Sequence, residues 1–287
     1  MATVLITGIT GTVGPVIAKK LIQAGHAVTG FSRRKPLPEK AVPGVNYVQG
    51  NFANPEDLKK LNGTKFDCLI HLVSLPIPQE QDAAVTFLSD NVAGHCHLFN
   101  YLFNNGCTKI VAASSIGACG CLDPDFIPDS IPIPPDHPTK ACSHYSFSKA
   151  MLEEICRYYS RKKPDADIIV LRYGGIYDRK TITPSGNIDM QRIFCSFGIV
   201  DLDDVVNATI AAMNAKLTPG YHQYNVVGPD APCKLPVAEL LKTLFPEEIY
   251  QKWDLSRYQT PDGGFLPVFD MEPIRRDLGF VPQVKAK

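Results

Sequence analysis

The chain carries no surplus of charge of either sign: its 29 basic and 29 acidic residues cancel. Without a basic excess there is no electrostatic footprint for nucleic acid, and no acidic tail or charge block marks a disordered partner-binding arm. The sequence also lacks any apolar run of the ~18 residues that a membrane span needs. Its opening, "MATVLITGIT", passes almost at once into a strand pattern, without the charged and apolar segments of a signal peptide. These absences predict a soluble, cytoplasmic protein whose partner is a small molecule rather than nucleic acid or membrane. Paired CxxC spacing is missing too. The nine cysteines fit neither a zinc site nor a disulfide scaffold, so reduced, mostly buried thiols are expected. His95 and His97, two apart, would not share a helix face, and no metal site is expected.

What is present is an alternation. Short β-branched runs at 3–7, 26–31, 46–50, 68–73, 109–114 and 167–173 are separated by helical patterns such as 14–24 and 54–61. Several runs are apolar almost throughout, as strands covered on both faces would be. Strict alternation predicts an α/β fold with a Rossmann-type, doubly wound parallel sheet. Beyond Tyr177 the pattern loosens, with helices expected at 201–215 and 236–245 and a strand at 221–227. The expected organisation is a nucleotide-binding domain over 1–175 and a small C-terminal substrate-binding subdomain over 176–287, partly interleaved with the first. The segment 123–138 holds six prolines. It cannot be regular helix or central strand, and is read as an ordered, extended pocket rim.

"VLITGITGTVG" places Gly8, Gly11 and Gly14 between the first strand and the first helix. Glycine there lets the backbone turn tightly and approach a pyrophosphate, whose charge would rest on free N–H groups at a helix N-terminus. The loop therefore predicts a dinucleotide cofactor. After the second strand come Ser32, Arg33 and Arg34, with no acid before Glu39. An acid would suit a ribose 2′-hydroxyl, whereas arginine suits a 2′-phosphate. NADP is favoured on this ground, with NAD possible.

In "SHYSFSKA", Tyr145 and Lys149 stand one helical turn apart, so a cation would lie near a phenol. A free phenol titrates near ~10, and a neighbouring ammonium favours its ionised form. The spacing alone decides nothing, because Tyr158 with Lys162 and Tyr159 with Lys163 repeat it. Those two pairs are read as surface residues near a helix end at Pro164.

Together with the loop, "AASSIGACG" (112–120) and "HYSFSK" (144–149), the chain resembles the extended short-chain dehydrogenase/reductase family, which includes sugar-nucleotide epimerases and dehydratases. "FDCLIHLVS", "DNVAGHCHLF", "LRYGGIYD", "VDLDDVVNA" and "DMEPIRRDLGFVP" follow in the family's order. The resemblance implies that Tyr145 is the general acid/base, that Lys149 holds the nicotinamide ribose and lowers the phenol pKa, that Ser115 (rather than the adjacent Ser114) steadies the reacting oxygen, and that Asn91 helps organise the site. A helix N-cap is the plain structural alternative for Asn91. The resemblance extends the cofactor contacts to Thr10, Thr12, Val13, Asn51, Phe52, Leu72, Val73, Tyr173 and Gly174, and the substrate contacts to Ser74 and Ser115.

Departures from the family pattern carry information. Ile116-Gly117 replace the Asp-Glu pair of the 4,6-dehydratases, which disfavours that elimination. Gly175 stands where many nucleotide-sugar enzymes have asparagine, Cys119 replaces a tyrosine, and Asn51 replaces a frequent aspartate. Only about two dozen residues separate "IYD" (176–178) from "VDLDD" (200–204). That short spacer implies a small pocket, similar to the compact layout of uronate dehydrogenases; Arg192, inside the spacer, is read either as the partner of a substrate carboxylate or as an ordinary surface arginine. The expected activity is NAD(P)-dependent hydride transfer between a hydroxyl and a carbonyl on a small polar substrate. A sugar epimerase with retained NAD and a non-catalytic dinucleotide-binding regulator are the alternatives. The family's habit implies a homodimer through the helices near 91–104 and 143–161, with Leu98, Tyr101, Leu102, Met151, Leu152 and Ile155 as candidate contacts; intramolecular core would use the same residue types.

Overall fold

The computed structural model describes residues 1–73 and 83–286. In chain order the elements are β1 (Thr3–Thr7), α1 (Gly14–Gln23), β2 (Ala27–Ser32), β3 (Asn46–Gln49), α2 (Pro55–Leu58), β4 (Cys68–His71), α3 (Ala83–Asn104), β5 (Lys109–Ser115), α4 (His144–Lys162), β6 (Asp167–Tyr173), β7 (Gly175–Tyr177), α5 (Ile193–Ser196), β8 (Ile199–Asp201), α6 (Leu202–Asn214), β9 (Gly220–Val226), α7 (Val237–Leu244), α8 (Glu247–Tyr250) and α9 (Glu272–Leu278). The main sheet has seven strands in the order β3-β2-β1-β4-β5-β6-β9. β1 pairs in parallel with both β2 and β4, so the strand order reverses direction between β1 and β4. In open α/β sheets the crevice beyond the carboxyl ends of such a pair is where ligands bind. The α/β, Rossmann-type expectation is met.

The local reasons are legible. Val4, Leu5 and Ile6 are wholly buried, as a strand covered on both faces requires. In α1, Ile17, Ala18 and Leu21 form the buried stripe. Gly25, at a φ of 83°, lets the chain turn immediately after this helix. Asn54 caps α2 by accepting the Glu56 N–H at 3.1 Å, with Pro55 in the first turn. Only residues 55–58 are α-helical, and a 3-10 turn, Lys59–Leu61, completes the expected segment.

Two compact units make up the chain, each from three stretches. The first comprises Met1–Ser114, Met151–Val170 and Thr209–His222. Its core gathers Leu5, Phe31, Phe52, Leu69, Leu98, Phe99, Leu102, Leu152 and Tyr159. Two expectations are corrected here. Leu98, Leu102 and Leu152 are at most 1% exposed and Ile155 is 8% exposed, so these four belong to the core and offer no face to a second copy. Tyr159 is buried rather than on the surface: its ring stacks on Phe103 and its hydroxyl donates to the Cys96 carbonyl at 3.1 Å. Tyr158 is exposed.

The second unit comprises Ser115–Ala150, Leu171–Ala208 and Gln223–Lys287. Within it the proline-rich segment is ordered and irregular. Ile131 and Ile133 are buried, the Ile133 N–H donates to Val268 at 2.7 Å, and Trp253 donates its indole N–H to the Pro128 carbonyl at 3.1 Å. His137 accepts the Asp129 N–H on Nε2 at 3.0 Å, which leaves its proton on Nδ1 facing the Pro138 carbonyl at 2.8 Å. Six of the nine cysteines are buried and one, Cys142, is exposed. Among the described residues no helix is long and apolar enough to cross a membrane.

Truncating Leu98 to Ala should lower the unfolding free energy by roughly 2–5 kcal/mol, read from denaturant melts. Burial pushes the His137 imidazole below its ordinary value. The folded state thus prefers the neutral ring, so this contribution is present above the unfolded value of ~6.5 and is lost as pH falls through it. His137→Gln should flatten the loss of thermal stability between about pH 7.5 and 5.5.

Candidate functional site

The glycine loop is built against the neighbouring strand. Gly8 has a φ of 74°, and a Cβ there would lie 2.9 Å from the Leu72 carbonyl carbon. At Gly14 a Cβ would lie 2.6 Å from the Cα of Ile9, so both positions exclude side chains. At Gly11 the nearest atom is the Gly8 carbonyl oxygen, 3.3 Å away. The crowding is therefore on the inner wall. Thr10, Gly11 and Thr12 are exposed, and α1 begins at Gly14 behind Val13 with no side-chain cap. A helix start without a capping side chain, beside an exposed glycine turn, suits the pyrophosphate of a dinucleotide. Beneath it Thr7 Oγ1 and His71 Nδ1 share a buried hydrogen bond of 2.7 Å, tying the ends of β1 and β4 together. Leu72 continues that seam, its N–H donating to the Thr7 carbonyl at 3.1 Å, and Val73 packs partly against the core.

At the carboxyl ends of β2 and β3 lies a cavity of about 260 Å³ lined by Arg33, Gln49, Gly50, Asn51, Asp57 and Lys60. Arg33 and Asn51 were expected from the sequence; Gln49, Asp57 and Lys60 were not. Ser32 donates its hydroxyl to the Arg34 carbonyl at 2.7 Å and shapes the turn, while Arg34 is exposed and outside this lining. Phe52, next to Asn51, has a ring buried at 4% exposure that packs edge-on against His71, with Gly94 leaving room for it.

The acid/base candidates lie in the second unit. Ser143 caps α4, its hydroxyl accepting the Ser146 N–H at 3.3 Å. The buried Asp123 carboxylate accepts the N–H groups of Cys142 and Ser143 at 2.8 and 3.0 Å and pins the segment that leads into the helix. Tyr145 sits half-buried in the first turn. Lys149 is 6% exposed, with its ammonium 5.9 Å from the centre of the Tyr145 ring. Ser115, 9% exposed, ends β5, and its hydroxyl accepts the Gly117 N–H at 3.0 Å. Ser114 points elsewhere in its own unit, donating to Glu153 at 2.6 Å. Asp123 escaped the sequence reading because the residues it holds lie 19 and 20 positions away.

Asn91 is not an N-cap. It lies well inside α3, is buried, and donates its amide to the Phe87 carbonyl one turn earlier at 2.6 Å. Tyr173 is buried at the end of β6, and Gly174 is so closely packed that a Cβ would meet the Gly198 carbonyl oxygen at 2.1 Å. Arg192 is exposed and precedes α5; its carbonyl accepts the Ser196 N–H at 3.0 Å. Ser74 lies outside the described residues.

Residues 4–197 match the NAD dependent epimerase/dehydratase family. The chain belongs to that family. A UDP-glucose 4-epimerase of Cyamopsis tetragonoloba is 28% identical over 184 residues, covering 60% of this chain and 51% of the relative. One from Oryza sativa is 26% identical over 186 residues, with the same coverage. The chain thus spans about half the length of these curated relatives. In fold it is similar to a UDP-glucose 4-epimerase of Thermotoga maritima crystallised with UDP-glucose (TM-score 0.69, 19% identity, 99% of this chain and 94% of that one). It is also similar to a short-chain dehydrogenase/reductase superfamily protein of Agrobacterium tumefaciens with bound NAD (0.70, 19%, 99% and 93%) and to a mutated uronate dehydrogenase (0.65, 18%, 99% and 82%). The glycine loop and the cavity at Asn51 both fall within the matched family region.

Replacing Ser143 by Ala should cost about 1 kcal/mol of stability by removing the α4 cap, measurable as a lowered thermal midpoint.

Proposed function

We propose that the protein is an NAD(P)-dependent oxidoreductase that interconverts a hydroxyl and a carbonyl on a small polar, sugar-like or hydroxy-acid substrate. The observation that carries this reading is the buried Lys149 ammonium beside the Tyr145 ring on the opening turns of one capped helix. A buried cation next to a phenol favours the phenolate and brings the group nearer to the pH at which acid/base exchange is efficient. When bound, the nicotinamide cofactor supplies or accepts the hydride. Tyr145 Oη then gives a proton to the substrate oxygen or takes one from it, Ser115 Oγ donates a hydrogen bond to that oxygen, and Lys149 holds the ribose and the phenol together. The N–H groups at the start of α1 receive the pyrophosphate. Asn91 helps organise the site from α3. Leu72, Val73, Tyr173 and Gly174 supply backbone and packing around the cofactor, and Arg192 and Ser74 serve the substrate. NADP is preferred to NAD, because arginines and no acid follow β2. A homodimer through outer faces of the two long helices accompanies this reading.

The identity of the curated relatives favours a second reading, a sugar epimerase that keeps its NAD and returns the hydride within one cycle. Cofactor retention separates the two. An oxidoreductase should be purified without nucleotide and should consume added cofactor stoichiometrically with product, followed near 340 nm against a panel of hydroxy acids, free sugars and small carbonyl compounds. Co-purified NAD with no net turnover selects the epimerase. In either case Tyr145→Phe should lower kcat by roughly 10²–10⁴-fold while leaving the cofactor dissociation constant within about twofold. An unchanged rate removes Tyr145 from its role.

A further inference from the structure

The cavity beyond β2 and β3 joins one of the arginines after β2 to a cation from another element. Its lining contributes Arg33 and Lys60 against one acid, Asp57, a formal excess of one positive charge. Asp57 is already committed on both oxygens: Oδ1 pairs with the Lys60 ammonium at 2.6 Å, and Oδ2 accepts the Asn51 N–H at 2.8 Å. These contacts hold its carboxyl below the usual range. It is therefore poorly placed to receive a ribose hydroxyl, the task an acid after β2 performs in NAD sites.

Lys60 reaches the cavity with its ammonium engaged by contacts close to solvent. It stands in the 3-10 turn after α2, and its ammonium also donates to the Gln49 carbonyl at the end of β3, at 3.3 Å. The side chain is 52% exposed. Ion pairs so open to water contribute little, so the ammonium can turn toward a stronger anion at small cost. Arg33 is tied to the same wall through its backbone, its carbonyl accepting the Gln49 side-chain amide at 3.2 Å, and its exposed guanidinium is available for two parallel hydrogen bonds. Gly50, also in the lining, lets Phe31 pack close against this wall: a Cβ there would meet the Phe31 ring at 2.6 Å.

We infer that Lys60 is a specificity-determining residue that joins Arg33 in binding the 2′-phosphate of an NADP-type nucleotide, a phosphomonoester dianion seated between the ends of β2 and β3. The inference rests on the reading of this chain as an NADP-preferring enzyme and adds to it a cation from a different element.

Titration calorimetry with adenosine 2′,5′-bisphosphate and with 5′-AMP as probes tests it without any turnover. The wild type should bind the bisphosphate at least about tenfold more tightly than 5′-AMP, by an amount that shrinks as salt is raised. Lys60→Gln and Arg33→Gln should each weaken bisphosphate binding by roughly tenfold and leave 5′-AMP within about twofold, and Lys60→Arg should retain most of the preference. Equal wild-type affinity for the two probes overturns the NADP preference and this inference with it. A preference lost in Arg33→Gln but intact in Lys60→Gln leaves NADP standing and removes Lys60. Binding of neither probe overturns the nucleotide reading of the cavity.

Discussion

The seam between β1 and β4 sets the terms for the first unit. The two strands run in parallel register from Val4 opposite Cys68 to Thr7 opposite His71. Their ends are joined by a side-chain hydrogen bond in which neither partner sees solvent. Immediately beyond, the backbone at Gly8 comes so near the Leu72 carbonyl that only glycine is tolerated. That closeness frees the outward side of the turn. A pyrophosphate needs N–H groups it can reach without displacing protein atoms, and close packing on the inner wall with exposure on the outer one provides that asymmetry.

In the second unit the equivalent constraint is the entry to α4. A tyrosine and a lysine one turn apart need a helix that begins at a fixed residue, because a shift of one position would rotate the pair by about 100°. Ser143 fixes the start from within the chain, and the Asp123 carboxylate fixes the approach from outside it. The lysine is then withdrawn from water on the same helix. Local capping and long-range anchoring thus both bear on where the phenol stands.

Much of this was readable in the sequence because it is written in short-range code. The strands β1 to β6, the glycine loop, the Asn54-Pro55 helix start and the Tyr145–Lys149 turn all depend on residues within a few positions of one another. What sequence missed depends on residues far apart. Leu98, Leu102 and Leu152 are apolar helix residues in either a core or an interface, and only tertiary packing distinguishes the two. Tyr159 has the spacing of a surface pair but faces inward onto Phe103. Asn91 looks like a cap because the helix continues further back than its polar neighbours suggest. Lys60 joins the Arg33 cavity across the loops that follow two strands, a pairing with no motif to announce it.

The distribution of thiols has a chemical consequence of its own. Burial pushes the Cys68 and Cys156 thiols far up and holds that of Cys107 at about 12, so none of these carries an appreciable thiolate near neutrality. Cys96 and Cys195 are half-buried, and Cys142 is exposed, adjacent to the cap of the helix that bears Tyr145. Reagents that need a sulfur open to solvent therefore meet the folded chain at the start of α4, and a maleimide or spin label attached there would report on how that helix is entered.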